Sequence, residues 1–344
     1  MAGSRPIIAL AMGDPAGISP ELAAKLLSQA DIRSAARIVV FGDLRVLDRG
    51  AAVAGVSLDI ETVSAEDQIP TDPTRPILVD LKNLDPGDVT IGAATLPGGR
   101  FATENFRRAL QFAAAGRAQG VVFTPFNKKA MRMAYAGYDD EIRFIADVLK
   151  FDGPAREFNV LDELWNARVT SHIPLSEVAS SITPEAILRN LALADACMRA
   201  AGFERPRIAV AGLNPHAGDG GNFGREEIDV IEPAVQQGIE RGFAVAGPFP
   251  ADTVFVRAKR GDFDAVLTMY HDQGQIAMKL MGFDRGVTLV GGFPFPICTP
   301  AHGTAYDIVG RGIANIGAAR QAVLLAVRMA SQPHLDDARD PTHA

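Results

Sequence analysis

The sequence predicts an α/β protein with a mostly parallel sheet and about two domains. Three observations predict it: short apolar runs hydrophobic at nearly every position, amphipathic stretches of helical length between them, and a chain of 344 residues, long enough for two cores. The runs are 6–12 (PIIALAM), 36–41 (ARIVVF), 75–80 (RPILVD), 120–123 (GVVF), 207–212 (RIAVAG), 265–270 (AVLTMY) and 286–291 (GVTLVG). A strand with one wet face alternates polar and apolar, so continuous runs imply strands covered on both faces. Helical patterns fall at 20–29, 103–118, 184–201, 225–241 and 314–331, which makes the connections crossover helices. Ser19-Pro20 and Thr183-Pro184 each read as an N-cap followed by the first helical residue. The polar segment 334–344 reads as a tail.

Composition excludes several classes. Lys and Arg number 34 against 41 Asp and Glu, a net charge of −7, and no basic stripe is present to meet a phosphate backbone. No secretory pattern opens the chain and no apolar run approaches a membrane span. Cys197 and Cys298 are too few for a disulfide framework, so the expected location is the cytoplasm.

Of six histidines, His334 and His343 lie in the tail. The others, His172, His216, His271 and His302, stand at strand ends or beside turn residues, where open α/β sheets gather ligands. Imidazoles from separate strand ends suit a divalent ion of zinc or cobalt type, although the spacings match no short metal signature, and ordinary loop histidines explain them equally well. No G-x-G-x-x-G follows the first strand, so a Rossmann site is not expected.

Six motifs in order, GDPAGISPEL, SHIPL, GLNPHAGDGGNFGREE, PADTVF, YHDQG and HGTAYDIVGRGIAN, resemble the 4-hydroxythreonine-4-phosphate dehydrogenase family, from about residue 6 to about residue 330. The resemblance implies an isopropylmalate dehydrogenase-like fold of two α/β/α domains, 1–128 with 300–335 and 129–299, followed by a flexible tail, 336–344. It implies a homodimer with its active site in the interdomain cleft at the dimer interface, a hydroxy-acid substrate, NAD, and one divalent ion (Zn, Co, Mn or Mg) held by His172, His216 and His271. Lys279 of GQIAMKL and Asp252 of PADTVF fall at catalytic positions; a snorkelling surface lysine and a helix N-cap are the plain alternatives. The HGTAYDIVGRGIAN stretch places His302, Gly303, Thr304 and Ala305 beside the adenosine and Asp307 on its ribose, which favours NAD over NADP. Asn214 and Gly224, in the glycine-rich loop, fall toward the nicotinamide.

Set against the family pattern, four substrate positions differ. A His-Thr pair becomes Asp139-Asp140, an Asn becomes Thr288, and a phosphate-binding Arg becomes Ile297. Losing a guanidinium removes a bidentate phosphate clamp. Each added carboxylate repels a dianion by roughly 4 kcal/mol at about 4 Å and an effective dielectric near 20. The differences therefore predict a non-phosphorylated hydroxy or dihydroxy acid, oxidised at a secondary hydroxyl with or without ensuing decarboxylation, in a pocket that includes Lys279. Capping of the helix 141–149 is the plain role for Asp139 and Asp140. The alternatives are a phosphorylated substrate such as 4-phosphohydroxythreonine or phosphoerythronate, with Lys279, Arg285 or Arg143 replacing the arginine, and a non-catalytic ligand sensor.

Overall fold

The computed structural model describes residues 5–71, 73–162 and 164–332; the tail expected at 336–344 lies outside these. Twelve strands occur among the described residues: β1 (Ile7–Ala11), β2 (Arg37–Gly42), β3 (Glu61–Val63), β4 (Ile77–Asp80), β5 (Gly120–Phe123), β6 (Arg156–Leu161), β7 (Leu164–Arg168), β8 (Ile208–Ala211), β9 (Val245–Phe249), β10 (Ala265–Thr268), β11 (Val287–Gly291) and β12 (Ile297–Pro300). The chain forms two compact units, one comprising everything up to Gly153 and again from Val287, the other Pro154–Gly286.

In the first unit the strand order is β3-β4-β2-β1-β5-β12-β11. Every neighbouring pair is parallel except β11 with β12. Ile8, Val39, Val40, Ile77 and Val121 are wholly buried, which accounts for their unbroken hydrophobicity. The second unit runs β6-β7-β10-β8-β9, parallel except for β6 with β7. Val254, Phe255, Ala258 and Met278 pack from two helices onto Ala209, Ala211 and Val266 of its sheet.

The unit boundaries differ from the expected 128/129 and 299/300. Residues 129–153 stay with the first unit because the helix Glu141–Leu149 stacks Phe144 on Phe106, with ring centroids 5.5 Å apart, and Phe106 in turn meets Phe123 of β5 at 4.7 Å. Residues 287–299 stay there because Ile297 and Cys298 pair with Val121 and Val122.

The first helix, Ser19–Ser28, has Ile18 as its N-cap and no side-chain cap, which corrects the reading of Ser19. The Ser19 hydroxyl donates instead to the Pro125 carbonyl at 2.7 Å. Thr183 does cap its helix, accepting from the Ala186 amide at 3.1 Å. The pattern over 225–241 is one helical path with a π turn at Glu227–Ile231 ahead of Pro233. No helix among the described residues is long and apolar enough to cross a membrane.

Candidate active site

In the second unit three neighbouring parallel strands, β7, β10 and β8, each lead at their carboxyl ends into a histidine. Beyond β7 the chain continues alongside β10, the Val169 and Thr170 amides donating to the Thr268 and Met269 carbonyls, and then reaches His172. Beyond β10 comes His271, the first residue of the helix His271–Gly282. His172 and His271 face each other with ring centroids 5.7 Å apart. The His271 Nδ1 lies 2.7 Å from Asp272 Oδ1, a carboxylate contact of the kind that orients a metal-binding imidazole through its other nitrogen. Beyond β8, His216 is exposed and stands beside Phe223, ring centroids 6.0 Å apart. Among the described residues no three His, Cys, Asp or Glu side chains of this chain gather into a metal-holding group, so the structure brings His172 to His271 and does not bring His216 to them.

Buried polar side chains hold the exposed His172 and His216 and the half-buried His271. Arg168, 4% exposed, closes β7 and donates to Asn159 Oδ1 at 2.6 Å, Glu157 Oε2 at 2.8 Å and Ser171 Oγ at 3.0 Å. Gln275, on the His271 helix, reaches the same Asn159 oxygen at 2.6 Å. Gln273 links two motifs: its Oε1 accepts from the Met269 amide at 2.7 Å and its Nε2 donates to the Gly212 carbonyl at 2.8 Å. The start of the same helix lies so close to β7 that a Cβ on Gly274 would come within 2.2 Å of Asn166 Oδ1.

The turn that carries His216 is left-handed throughout. His216, Ala217, Gly218, Asp219, Gly220 and Gly221 all have positive φ, from 45° to 100°. The three with side chains each pay roughly 1–2 kcal/mol for that conformation, so the surroundings must impose it. Asn214 and Gly224, expected near a cofactor, belong to this turn. Asn214 Nδ2 donates to Glu226 at 2.7 Å and to Glu227 at 2.9 Å. Gly224 has φ 129° and packs so closely on Asn214 that a Cβ would come within 2.4 Å of Nδ2.

Lys279 is exposed in the last turn of the His271 helix, and Asp252 is exposed in the first turn of Ala251–Lys259. Pro250 is the N-cap of that helix, so Asp252 is not the cap.

In the first unit, residues 302–308 follow the carboxyl end of β12. The Ile18 amide donates to the Thr304 carbonyl at 3.0 Å, and a Cβ on Gly17 would lie 2.7 Å from that oxygen. The Tyr306 hydroxyl donates to Asp14, a carboxylate 1% exposed whose proton affinity burial raises. Burial and this bond together hold the phenol well above its ordinary range. His302 Nδ1 lies 3.1 Å from the Gly303 carbonyl, so this nitrogen carries the proton, and burial keeps the ring below the usual imidazole range. Its Nε2 is buried with no hydrogen-bond partner among the described residues. Ala305 is left-handed, with φ 43°, Gly303 is open on its Cα side, and Asp307 is exposed.

Asp139, Asp140 and Ile297, expected at the substrate, each have local contacts in the structure. Asp140 caps Glu141–Leu149, accepting from the Arg143 amide at 3.0 Å, and Asp139 pairs with the Arg143 guanidinium at 2.6 Å. Ile297 is 0% exposed within the sheet and presents nothing to a ligand. Thr288, in β11, is half-buried. Sequence reasoning missed Arg168, Asn166, Gln273, Glu227, Asp14 and Tyr306. The last four lie inside motifs that had been singled out, and the only available signal was a polar residue placed against an apolar strand end.

The named relatives of this α/β chain are dehydrogenases, and it is a dehydrogenase acting on a CH–OH group. Residues 34–326 match the family model described as pyridoxal phosphate biosynthetic protein PdxA, and the chain belongs to that family. It is 66% identical over 95% of its length to a Rhizobium meliloti protein, 94% of which is covered and which has the provisional name 4-hydroxythreonine-4-phosphate dehydrogenase 2. It is 36% identical, over 95% of its length and 98% of the other's, to a Symbiobacterium thermophilum protein provisionally named D-threonate 4-phosphate dehydrogenase. The crystal structure of 4-hydroxythreonine-4-phosphate dehydrogenase from Klebsiella pneumoniae superposes with a TM-score of 0.83 at 33% identity, covering 96% of this chain and 100% of that one.

Proposed function

We propose that the protein oxidises a secondary hydroxyl of a short hydroxy acid phosphorylated at its fourth carbon, of the hydroxythreonine or threonate type, with NAD as hydride acceptor. This replaces the non-phosphorylated substrate expected from Asp139, Asp140 and Ile297, because both named relatives act by name on 4-phosphates. The observation that carries the reading is the engagement of the acidic pair. Asp139 is offset by Arg143, Asp140 serves as a cap, and Lys128 stands 3.6 Å from the adjacent Glu141, so the stretch holds no uncompensated pair of carboxylates to repel a phosphate.

His172, His216 and His271 would supply nitrogen donors to a divalent ion, at least one of them coming from the partner subunit of a homodimer because a single chain does not bring His216 to the other two, and the Asp272-oriented ring of His271 fits that role. Bound there, the ion would lower the pKa of the substrate hydroxyl and polarise the ketone that forms. Lys279 would take the hydroxyl proton and Asp252 would orient the substrate from the first turn of its helix, with a bound nicotinamide supplying the hydride acceptor. The neutral His302 offers a buried acceptor nitrogen to the adenine, and Asp307 accepts from the ribose hydroxyls. Exposed Ile276, Leu280 and Phe283, at one helical repeat on the His271 helix, together with Leu175, support a homodimer, and the composition supports a cytoplasmic location.

An NAD-reduction assay decides the substrate. Turnover is expected with 4-phosphohydroxythreonine or D-threonate 4-phosphate and is expected to cease on chelation. Lys279→Ala should lower kcat about 10²–10⁴-fold. Turnover of the plain hydroxy acid, with none of either phosphate ester, would falsify the proposal.

A further inference from the structure

The turn carrying His216 folds around a single buried carboxylate. Glu227 is 3% exposed and has no Lys or Arg partner among the described residues. Its charge is met by donors of the turn itself: Oε1 accepts from the Leu213 and Asn214 amides, each at 2.7 Å, and Oε2 accepts from Asn214 Nδ2 at 2.9 Å. The turn closes tightly on it. A Cβ on Gly218 would come within 2.7 Å of Oε2, and one on Gly212 within 3.0 Å of Oε1. Gly212 is also the residue whose carbonyl receives Gln273 from the His271 helix, so the carboxylate sits where the loops bearing His216 and His271 are tied.

Left-handed residues with side chains persist only where surrounding contacts over-determine them. Glu227 anchors Leu213 and Asn214 immediately before the left-handed run, and the Asn214 carbonyl in turn accepts from the Ala217 amide at 3.1 Å. We infer that Glu227 is a positioning residue: it templates the left-handed turn and thereby fixes where the His216 imidazole points, without itself touching substrate or cofactor. The inference rests on the proposed role of His216 as a metal ligand. An apolar or amide side chain of equal size cannot substitute. The amide of Gln would direct N–H groups at Asn214 Nδ2 or at the two backbone amides, donor against donor.

The test compares the wild-type protein with Glu227→Gln, Glu227→Asp and His216→Ala. Amide hydrogen exchange over 213–224, Zn²⁺ affinity by chelator competition, and thermal melting are measured on each. Glu227→Gln is expected to stay folded, to exchange the Leu213 and Asn214 amides at least about 10-fold faster, and to bind Zn²⁺ about 10–100-fold more weakly, as loss of a ligand-orienting contact does. Glu227→Asp, which keeps the charge, should recover part of both, and His216→Ala should lose Zn²⁺ with wild-type exchange. Wild-type exchange in Glu227→Gln, or faster exchange with unchanged Zn²⁺ affinity, overturns the inference. Should the wild-type protein bind no Zn²⁺, the metal reading fails by itself, and the exchange measurement alone decides whether Glu227 templates the turn.

Discussion

The two loop systems at strand ends are stabilised in opposite ways. In the second unit the side chains with chemistry to offer, His172, His216 and Lys279, are exposed, and the groups that hold the histidine loops, Arg168, Asn166 and Glu227, are buried. In the first unit the loop 302–308 buries part of its own chemistry. Tyr306 bonds inward to Asp14, His302 Nε2 is enclosed, and Thr304 lends its carbonyl to the first helix. The second unit therefore separates holding from acting, and a variant beneath the histidines should cost stability first. On the proposed cofactor roles the first unit would use the same side chains for both, so stability and ligand contact should change together.

The sharpest break of that contrast is Arg168→Met. It leaves Glu157, whose side chain is 17% exposed, beside an apolar group and strips Asn159 and Ser171 of a donor. Removing one partner of a buried ion pair costs about 3–5 kcal/mol, so chemical denaturation should show a loss of that size, with cofactor affinity unchanged in the protein that remains folded. A loss under about 1 kcal/mol would show that the buried network does not hold the His172 segment.

How far the sequence disclosed this division follows from the physics of each element. Continuous apolar runs such as 6–12 and 120–123 were legible because burial on both faces leaves no polar positions. β6 and β7 were not: REFNVL and LWNAR carry Glu157, Asn159, Asn166 and Arg168, polar residues that are buried or half-buried and hydrogen-bonded, and a hydrophobicity pattern reads them as loop. The helix Leu96–Ala114 was read from 103 because Pro97, Gly98 and Gly99 look like breakers, whereas Thr95 caps the helix and Pro97 suits its first turn. The histidines were legible as strand-end residues. What supports them was not, since Glu227 lies 11 positions beyond His216 and only the left-handed turn brings the carboxylate back under it.

A smaller effect tests the first unit. Tyr306→Phe removes the one side-chain donor to Asp14 among the described residues and leaves the Ala16 amide, at 2.9 Å, as its remaining partner there. An under-satisfied buried carboxylate costs about 1–3 kcal/mol, and because Tyr306 lies in the loop that carries Thr304 and Asp307, NAD affinity should fall in step with the melting temperature. Calorimetry paired with a binding titration separates the cases. Lost stability with unchanged NAD binding would mean that the first unit, like the second, keeps its supports apart from its contacts.

The smallest effect is the pH response of His302. Burial depresses its pKa below the ordinary value of 6.5, so the folded state prefers the neutral ring while the unfolded chain takes up a proton at ordinary acidity. Between those two pKa values the unfolded state binds more protons, and stability therefore rises with pH. The contribution is complete above 6.5 and is lost as pH falls from there toward the depressed value. Melting temperatures taken from pH 8 to pH 5 should decline below 6.5, and His302→Gln, which has no titrating ring, should flatten the part of that decline due to this residue. NAD should deepen it, since an adenine donating to Nε2 holds the folded ring neutral to lower pH while the unfolded chain still takes up its proton. A decline identical in His302→Gln and in the wild-type protein would assign the pH response to other groups and leave the buried nitrogen without a titrating role.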